Sequence, residues 1–203
     1  MAIAYEYRPG VLYLNVTNRC SNDCGFCVRQ APDYRMAGRS MRLEREPQAS
    51  DVLKAIAQEE ESRGGPFDEV VFCGFGEPTY RWEVVCEVGR ALRGRGVPVR
   101  LNTNGQPALI LGRGARELVA ELAAAVDTVS ISLNAPDAAE YEALCEPSFG
   151  AEAYPAVLTF ARQCVQGGIA NVVLTVVGFT LDGERIERCE ELAAELGAEF
   201  RVR

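Results

Sequence analysis

The sequence has no histidine, and Lys54 is the only lysine among its 21 basic residues. The missing histidine removes whole classes of chemistry. Ser-His-Asp and Cys-His nucleophile systems cannot be assembled within this chain, nor can histidine zinc sites or HExxH peptidases. Proton transfer near neutral pH falls to carboxylates, cysteine, tyrosine or the substrate itself. The near-absence of lysine reads as a genomic preference for arginine codons. No apolar run approaches the roughly 18 residues that span a bilayer, and the first ten residues, MAIAYEYRPG, lack the basic-then-apolar pattern of a signal peptide. The expectation is a cytoplasmic protein without a membrane partner, with its eight cysteines reduced. A surplus of acidic residues, 29 against 21 basic, gives a formal net charge of −8 and argues against nucleic acid as a partner.

What is present is an ordinary globular composition, 48% hydrophobic and 25% charged, over 203 residues. That length suits one domain, residues 1–203. Short apolar runs read as six strands: Val11–Thr17, Glu69–Cys73, Val97–Asn102, Thr128–Leu133, Val172–Val177 and Phe200–Arg203. Several are nearly continuous in apolar residues, as in a parallel sheet buried on both faces. Amphipathic stretches fill the gaps. Val52, Leu53 and Ile56 mark one helix, capped by Ser50 and ended by Gly64-Gly65-Pro66. Trp82, Val85, Val88 and Leu92 mark the next, and Leu118, Leu122 and Val126 another. Val157, Phe160, Ala161 and Cys164 share a face, as do Ile186, Cys189, Ala193 and Leu196 before Gly197. Repeated β-α-β units predict an α/β fold with a parallel sheet and outer helices. Six units fit either an open partial (β/α)6 TIM-like barrel or a doubly wound sheet, with function at the C-terminal strand ends in both.

The longest loop, Asn18 to about Ala49, carries CSNDCGFC, with Cys20, Cys24 and Cys27 spaced four and three residues apart. Three soft thiolates so close suit a soft metal or cluster. A structural zinc site needs a fourth ligand. A [4Fe–4S] cluster held by three cysteines leaves one iron open. The alternatives are structural cysteines, or a zinc site completed by a distant residue.

Cys20-x3-Cys24-x2-Cys27 after a first strand, with Phe26 just before the last cysteine, resembles the radical SAM superfamily. The resemblance implies a partial (β/α)6 barrel. It implies a cluster on the three cysteines, whose open iron is chelated by S-adenosylmethionine (SAM). It also implies reductive cleavage of SAM to a 5′-deoxyadenosyl radical that abstracts hydrogen from a substrate, and an electron donor such as flavodoxin or ferredoxin.

The other strand ends carry the remaining candidates. CGFGEPTY closes the second strand; Gly74 and Gly76 allow close approach to a ligand, and Gly74-Phe75-Gly76-Glu77-Pro78 resembles the family's GGEP-type SAM motif. Phe75 stands where a second glycine is usual. Asn104 in NTNG is either an Asn-Gly turn residue or, by resemblance, a SAM contact. Ser130, Ser132 and Asn134 alternate on the fourth strand and share a face. By resemblance Ser132 and Asn134 bind the SAM ribose, although Asn134 could instead cap the next helix. Val176-Val177-Gly178 matches the adenine-packing segment, and Phe26 joins the cofactor set. Among the other cysteines, Cys86, Cys164 and Cys189 read as core residues and Cys73 as a buried strand-end residue; Cys145 is the one with a possible function. Arg29, Arg35, Arg39 and Arg42 in the long loop read as a solvated basic stretch, or as a site for an anionic substrate.

More narrowly, NVTNRCSNDCGFCVR, SLNAPDAAEY and EFRVR resemble the small radical SAM proteins associated with TatD-family nucleases, implying a functional link to such a nuclease. Other small members, 7-carboxy-7-deazaguanine synthase and the glycyl-radical-enzyme activases, illustrate the two substrate styles left open, small molecule and protein. The competing class is a non-catalytic iron–sulfur or zinc module.

Overall fold

The computed structural model describes residues 3–30, 35–36 and 38–203; the part of the arginine-rich loop at 31–34 and 37 lies outside them. The chain opens with an antiparallel hairpin, β1 (Ala4–Arg8) and β2 (Val11–Leu14). The long loop carries a second, two-residue hairpin, β3 (Arg35–Met36) and β4 (Arg39–Ser40). Helices and strands then alternate: α1 (Ala49–Arg63), β5 (Glu69–Phe72), α2 (Trp82–Gly94), β6 (Val99–Thr103), α3 (Pro107–Leu111), α4 (Ala115–Leu122), β7 (Thr128–Ser132), α5 (Ala138–Cys145), α6 (Ala153–Gln166), β8 (Asn171–Val176), α7 (Gly183–Leu196) and β9 (Glu199–Val202).

The main sheet runs β1-β2-β5-β6-β7-β8-β9, parallel everywhere except β1–β2. This order decides between the two expected architectures. A doubly wound sheet reverses its strand order at a switch point. Here each new parallel strand adds on the same side, so right-handed crossovers put every helix on one face. The result is the wall of a six-stranded partial barrel. The antiparallel β1 was not expected. Its signal was present: Tyr5 and Tyr7 alternate ahead of Pro9-Gly10, a hairpin turn in which Gly10 takes φ +81°.

The two faces of the sheet differ, which corrects the expectation of a sheet apolar on both sides. Outward residues such as Leu12, Phe72, Leu101, Ile131 and Leu174 are fully buried in one core with helix residues Ile56, Leu92, Leu122 and Phe160. Each such side chain contributes about 1.5–3 kcal/mol by leaving water. The concave face mixes buried Val71 and Val173 with polar side chains, including Arg100, Asn102, Ser130, Ser132, Arg201 and Arg203. No helix of the described residues is long and apolar enough to cross a membrane.

Two local expectations are corrected. The N-cap of α1 is Gln48, not Ser50; the Asp51 carboxylate accepts from the Gln48 N–H at 3.0 Å, and Ser50 lies inside the first turn. Val126 is buried, but beyond the end of α4. Gly64 and Gly197 end their helices in the left-handed region, as expected.

All eight cysteines are free, and Cys86, Cys164 and Cys189 are buried in the main core. Cys164→Ala should therefore keep any bound iron and lower stability by about 1 kcal/mol in urea unfolding; loss of iron at normal folding would contradict the core assignment.

Candidate active site

A cavity of about 440 Å³ opens at the C-terminal ends of the parallel strands. Cys20, Cys24, Phe26, Cys27, Gly74, Gly76, Glu77, Asn104, Ser132 and Asn134 all line it. With Val177, Phe179 and Arg203, which also line it, six segments of the chain converge on one space of the size used by small-molecule sites.

The turn after β5 fixes the cysteine loop. A Cβ on Gly74 would lie 2.3 Å from Asn15 Oδ1, and one on Gly76 would lie 2.4 Å from the Arg19 carbonyl oxygen. The glycines were expected to admit a ligand. Their closest neighbours are instead the backbone and side chains that lead into the triplet. Asn15, fully buried, donates from Nδ2 to the Met41 carbonyl at 2.5 Å and accepts from Phe75 N–H at 3.0 Å. Glu77 N–H donates to the Arg19 carbonyl at 2.8 Å. The Glu77 carboxylate then accepts from Thr79 N–H (3.1 Å), the Thr79 hydroxyl (2.8 Å), the Thr103 hydroxyl (2.7 Å) and Asn104 N–H (2.6 Å). Burial still outweighs these donors and holds its carboxyl above the usual range. All four of these contacts are with the β5 turn and the end of β6.

A second network holds the loop from the other side. Gln106, fully buried, donates from Nε2 to Asn22 Oδ1 at 2.8 Å and to the Tyr141 hydroxyl at 2.9 Å, and accepts from the Ser21 hydroxyl at 2.9 Å. Asn22 also donates to the Tyr141 hydroxyl at 2.9 Å. Ser21 and Asn22 directly follow Cys20, so the loop after β6 and helix α5 together locate the first cysteine. None of these four residues stood out in the sequence. Asn104 is equally committed: its Nδ2 donates to the Ser21 hydroxyl at 2.7 Å and its Oδ1 accepts from Gln106 N–H at 3.1 Å. The turn reading of Asn104 holds in the structure, at a position that also faces the cavity.

Asn134 has a different standing. The N-cap of α5 is Asp137, whose side chain accepts from Glu140 N–H at 3.0 Å. The helix-cap alternative for Asn134 is therefore overturned. Asn134 takes φ +60°, is 3% exposed, and its Oδ1 is buried without a hydrogen-bond partner. Its Nδ2 donates to Cys145 Sγ at 3.4 Å. A buried acceptor left unpaired costs about 1–3 kcal/mol, and this one belongs to a residue that lines the cavity. Ser132 lines it too, whereas Ser130 lines a separate cavity toward the opposite barrel end.

Cys145, buried, packs against the triplet, with Cys24 Sγ 3.7 Å from its carbonyl oxygen. Cys73 lines the cavity as well. Of the four loop arginines, Arg29 alone lines the cavity; Arg39 pairs with Glu59 at 2.5 Å, Arg35 bonds the Gly38 carbonyl at 2.9 Å, and Arg42 is exposed.

The family model of the radical SAM superfamily matches residues 14–196. The chain belongs to the radical SAM superfamily. Its fold is similar to several solved radical SAM structures. A structure of TYW1 with a lysine–pyruvate adduct bound matches at 13% identity and TM-score 0.63, covering 95% of this chain and 64% of that one. HydG, a maturase of the [FeFe]-hydrogenase, matches at 17% and 0.67, covering 95% and 41%. Methylornithine synthase (PylB) matches at 15% and 0.63, covering 94% and 52%. The radical SAM chain described here thus spans less than two thirds of each of these proteins. No curated protein matches its sequence.

Radical SAM enzymes typically use a [4Fe–4S] cluster and SAM, and the residues present fit both. The three thiols are half-buried in one wall of the cavity. Burial and the Glu77 carboxylate push the Cys20 thiol up to about 12. A hydrogen bond with Cys145, then burial, raises Cys24, and burial raises Cys27. A coordinated metal reverses that preference by replacing the proton. Among the described residues, no three His, Cys, Asp or Glu side chains converge as they would around a single metal ion. A cluster does not require it, because each cysteine ligates a different iron. The unpartnered Asn134 Oδ1 and the adjoining Ser132 hydroxyl offer hydrogen-bonding groups for a polar cofactor.

Proposed function

We propose that this radical SAM protein is an enzyme that holds a [4Fe–4S] cluster on Cys20, Cys24 and Cys27. In this reading SAM lies between the cluster and the ends of β5, β6 and β7. The observation that carries it is the convergence of the triplet and the seven other candidate residues on one cavity. When bound, such a cluster supplies the electron that cleaves the SAM sulfonium and generates a 5′-deoxyadenosyl radical. The chain supplies orientation. Gly74 and Gly76 bring the β5 turn onto the cysteine loop, and Glu77 and Gln106 lock it. Ser132 and Asn134 hydrogen-bond the ribose. Val177 and Phe26 give the adenine an apolar seat. The electron comes from a small reductant protein of the flavodoxin or ferredoxin kind, and the protein acts in the cytoplasm. The TatD-associated motifs support a finer reading, a reaction functionally linked to a TatD-family nuclease, on a small molecule or a partner protein.

Asn134→Ala tests the cofactor half of this reading. It should keep normal iron content while SAM affinity falls by roughly 0.5–1.5 kcal/mol, the worth of one neutral hydrogen bond. Reductive formation of 5′-deoxyadenosine should slow in parallel. Unchanged SAM affinity, measured by equilibrium binding, would remove Asn134 from the site.

A further inference from the structure

We infer that Arg203 anchors a substrate subsite in this cavity, one that takes a small molecule carrying a carboxylate or phosphate group and, beside it, an N–H or O–H donor. The inference rests on the reading of the cavity as the SAM site.

Arg203 extends β9 into the cavity wall. Its N–H donates to the Val176 carbonyl at 2.9 Å and its carbonyl accepts from Gly178 N–H at 2.9 Å, so its backbone is held in the sheet. Its guanidinium reaches the Ser132 hydroxyl at 3.1 Å. That neutral contact uses one of five N–H donors, and a guanidinium offers no acceptor.

The neighbouring charges single it out. Arg100 is paired with Glu69 at 2.9 Å. Glu77 is occupied by its four donors. Arg203 has no carboxylate partner among the described residues; burial lowers its pKa, Cys73 opposes that shift and Arg100 adds to it. Arg29 is the other cation of the cavity, but it lies over the Phe75 ring at 5.3 Å, on the cysteine side. There it faces thiolates once metal is bound. Arg203 is left as the cation free to receive an incoming oxyanion, for which its planar fork is well shaped.

Sheet order separates this position from the cysteine loop, while its guanidinium adjoins the proposed ribose contact Ser132. The proposed SAM contacts run from the loop after β2 to Val177 after β8. Arg203 follows β9, five strand positions from β2. At about 4.8 Å per strand that is about 24 Å along the arc of the wall. Arg203 therefore stands at the end of the cavity away from the cysteines, beside Val177 and the 80% exposed Phe179. On the same cavity, Asn102 presents a buried Oδ1 with no hydrogen-bond partner. An oxyanion on Arg203 with a donor toward Asn102 satisfies both groups, and turns the rest of the molecule toward the centre of the cavity.

Calorimetric titration of malonate, and separately of inorganic phosphate, into cluster- and SAM-loaded protein tests this. The wild type should bind one or both saturably; malonate alone identifies a carboxylate site and phosphate alone a phosphate site. Arg203→Gln should weaken that binding by at least about tenfold, the scale of one charge-assisted hydrogen bond. Arg203→Lys should retain part of it. In both variants iron content should match wild type, and SAM affinity should fall by clearly less than anion affinity, the residual effect coming from the Arg203–Ser132 contact. The inference is overturned if neither anion binds saturably, if Arg203→Gln binds them equally, or if Arg203→Gln loses SAM affinity by about tenfold, which would assign the residue to the cofactor. Failure of the wild type to take up iron or SAM counts against the proposed function instead; the titration on unloaded protein then decides the Arg203 site by itself.

Discussion

Replacing Cys20, Cys24 or Cys27 with alanine should abolish the iron–sulfur centre outright. A cubane held by three protein ligands has no spare cysteine in the motif, and the loss of one leaves a second iron without protein coordination. Cys145, fully buried beside Cys24 with Asn134 donating to its sulfur at 3.4 Å, is not expected to replace a lost ligand. The fold should survive. The three cysteines are half-buried, and the loop is held by Asn15, Glu77 and Gln106 rather than by the thiols themselves. Stability should therefore fall by no more than about 1 kcal/mol. Iron and sulfide analysis beside a urea melt of each variant checks both halves. Four irons in the triple variant would sink the cluster assignment.

Glu77→Ala should be the most destabilising single change at the site. Two carboxylate oxygens there satisfy four donors from the β5 turn and from β6. Glu77 is 4% exposed, so water cannot easily replace it. Buried donors left unpaired cost about 1–3 kcal/mol each, less than additively where the backbone relaxes. A total loss of roughly 2–4 kcal/mol is expected in urea unfolding. Iron retention should fall with it, because Glu77 N–H also pins the Arg19 carbonyl next to Cys20. Glu77→Gln should fall between: its amide oxygen can still accept, but an NH2 group facing the Asn104 N–H sets donor against donor. A variant with unchanged unfolding and reduced SAM affinity would instead make Glu77 a direct ligand contact.

Much of this was legible in the sequence because it is local. The triplet, the Gly-Glu-Pro turn and the strand-helix alternation each sit within a dozen residues and carry their chemistry in the residue types. What was not legible is long-range. Gln106 joins Asn22 and Tyr141 across 84 and 35 positions, and each of the three is an unremarkable polar residue on its own. The glycines of the β5 turn were read as making room for a ligand because sequence cannot show which chain segment packs on them; the structure puts the cysteine loop there. Asn134 and Asp137 were equally good helix caps by residue type, and the backbone decides for Asp137. The polar concave face was read at β7, from Ser130 and Ser132, but not on the other strands. Arg100, Asn102 and Arg203 interrupt apolar runs, and their common direction emerges only once the unreversed strand order closes the sheet into a wall.

The central claim, three cysteines holding a cluster whose remaining iron receives SAM, is tested most directly by electron paramagnetic resonance. The spectrum of the anaerobically reconstituted, reduced protein is recorded before and after SAM is added. The expected result is a reduced [4Fe–4S] signal that shifts with SAM, from protein carrying iron and sulfide. A signal indifferent to SAM, or a protein that takes up zinc and no iron–sulfur centre, would contradict it.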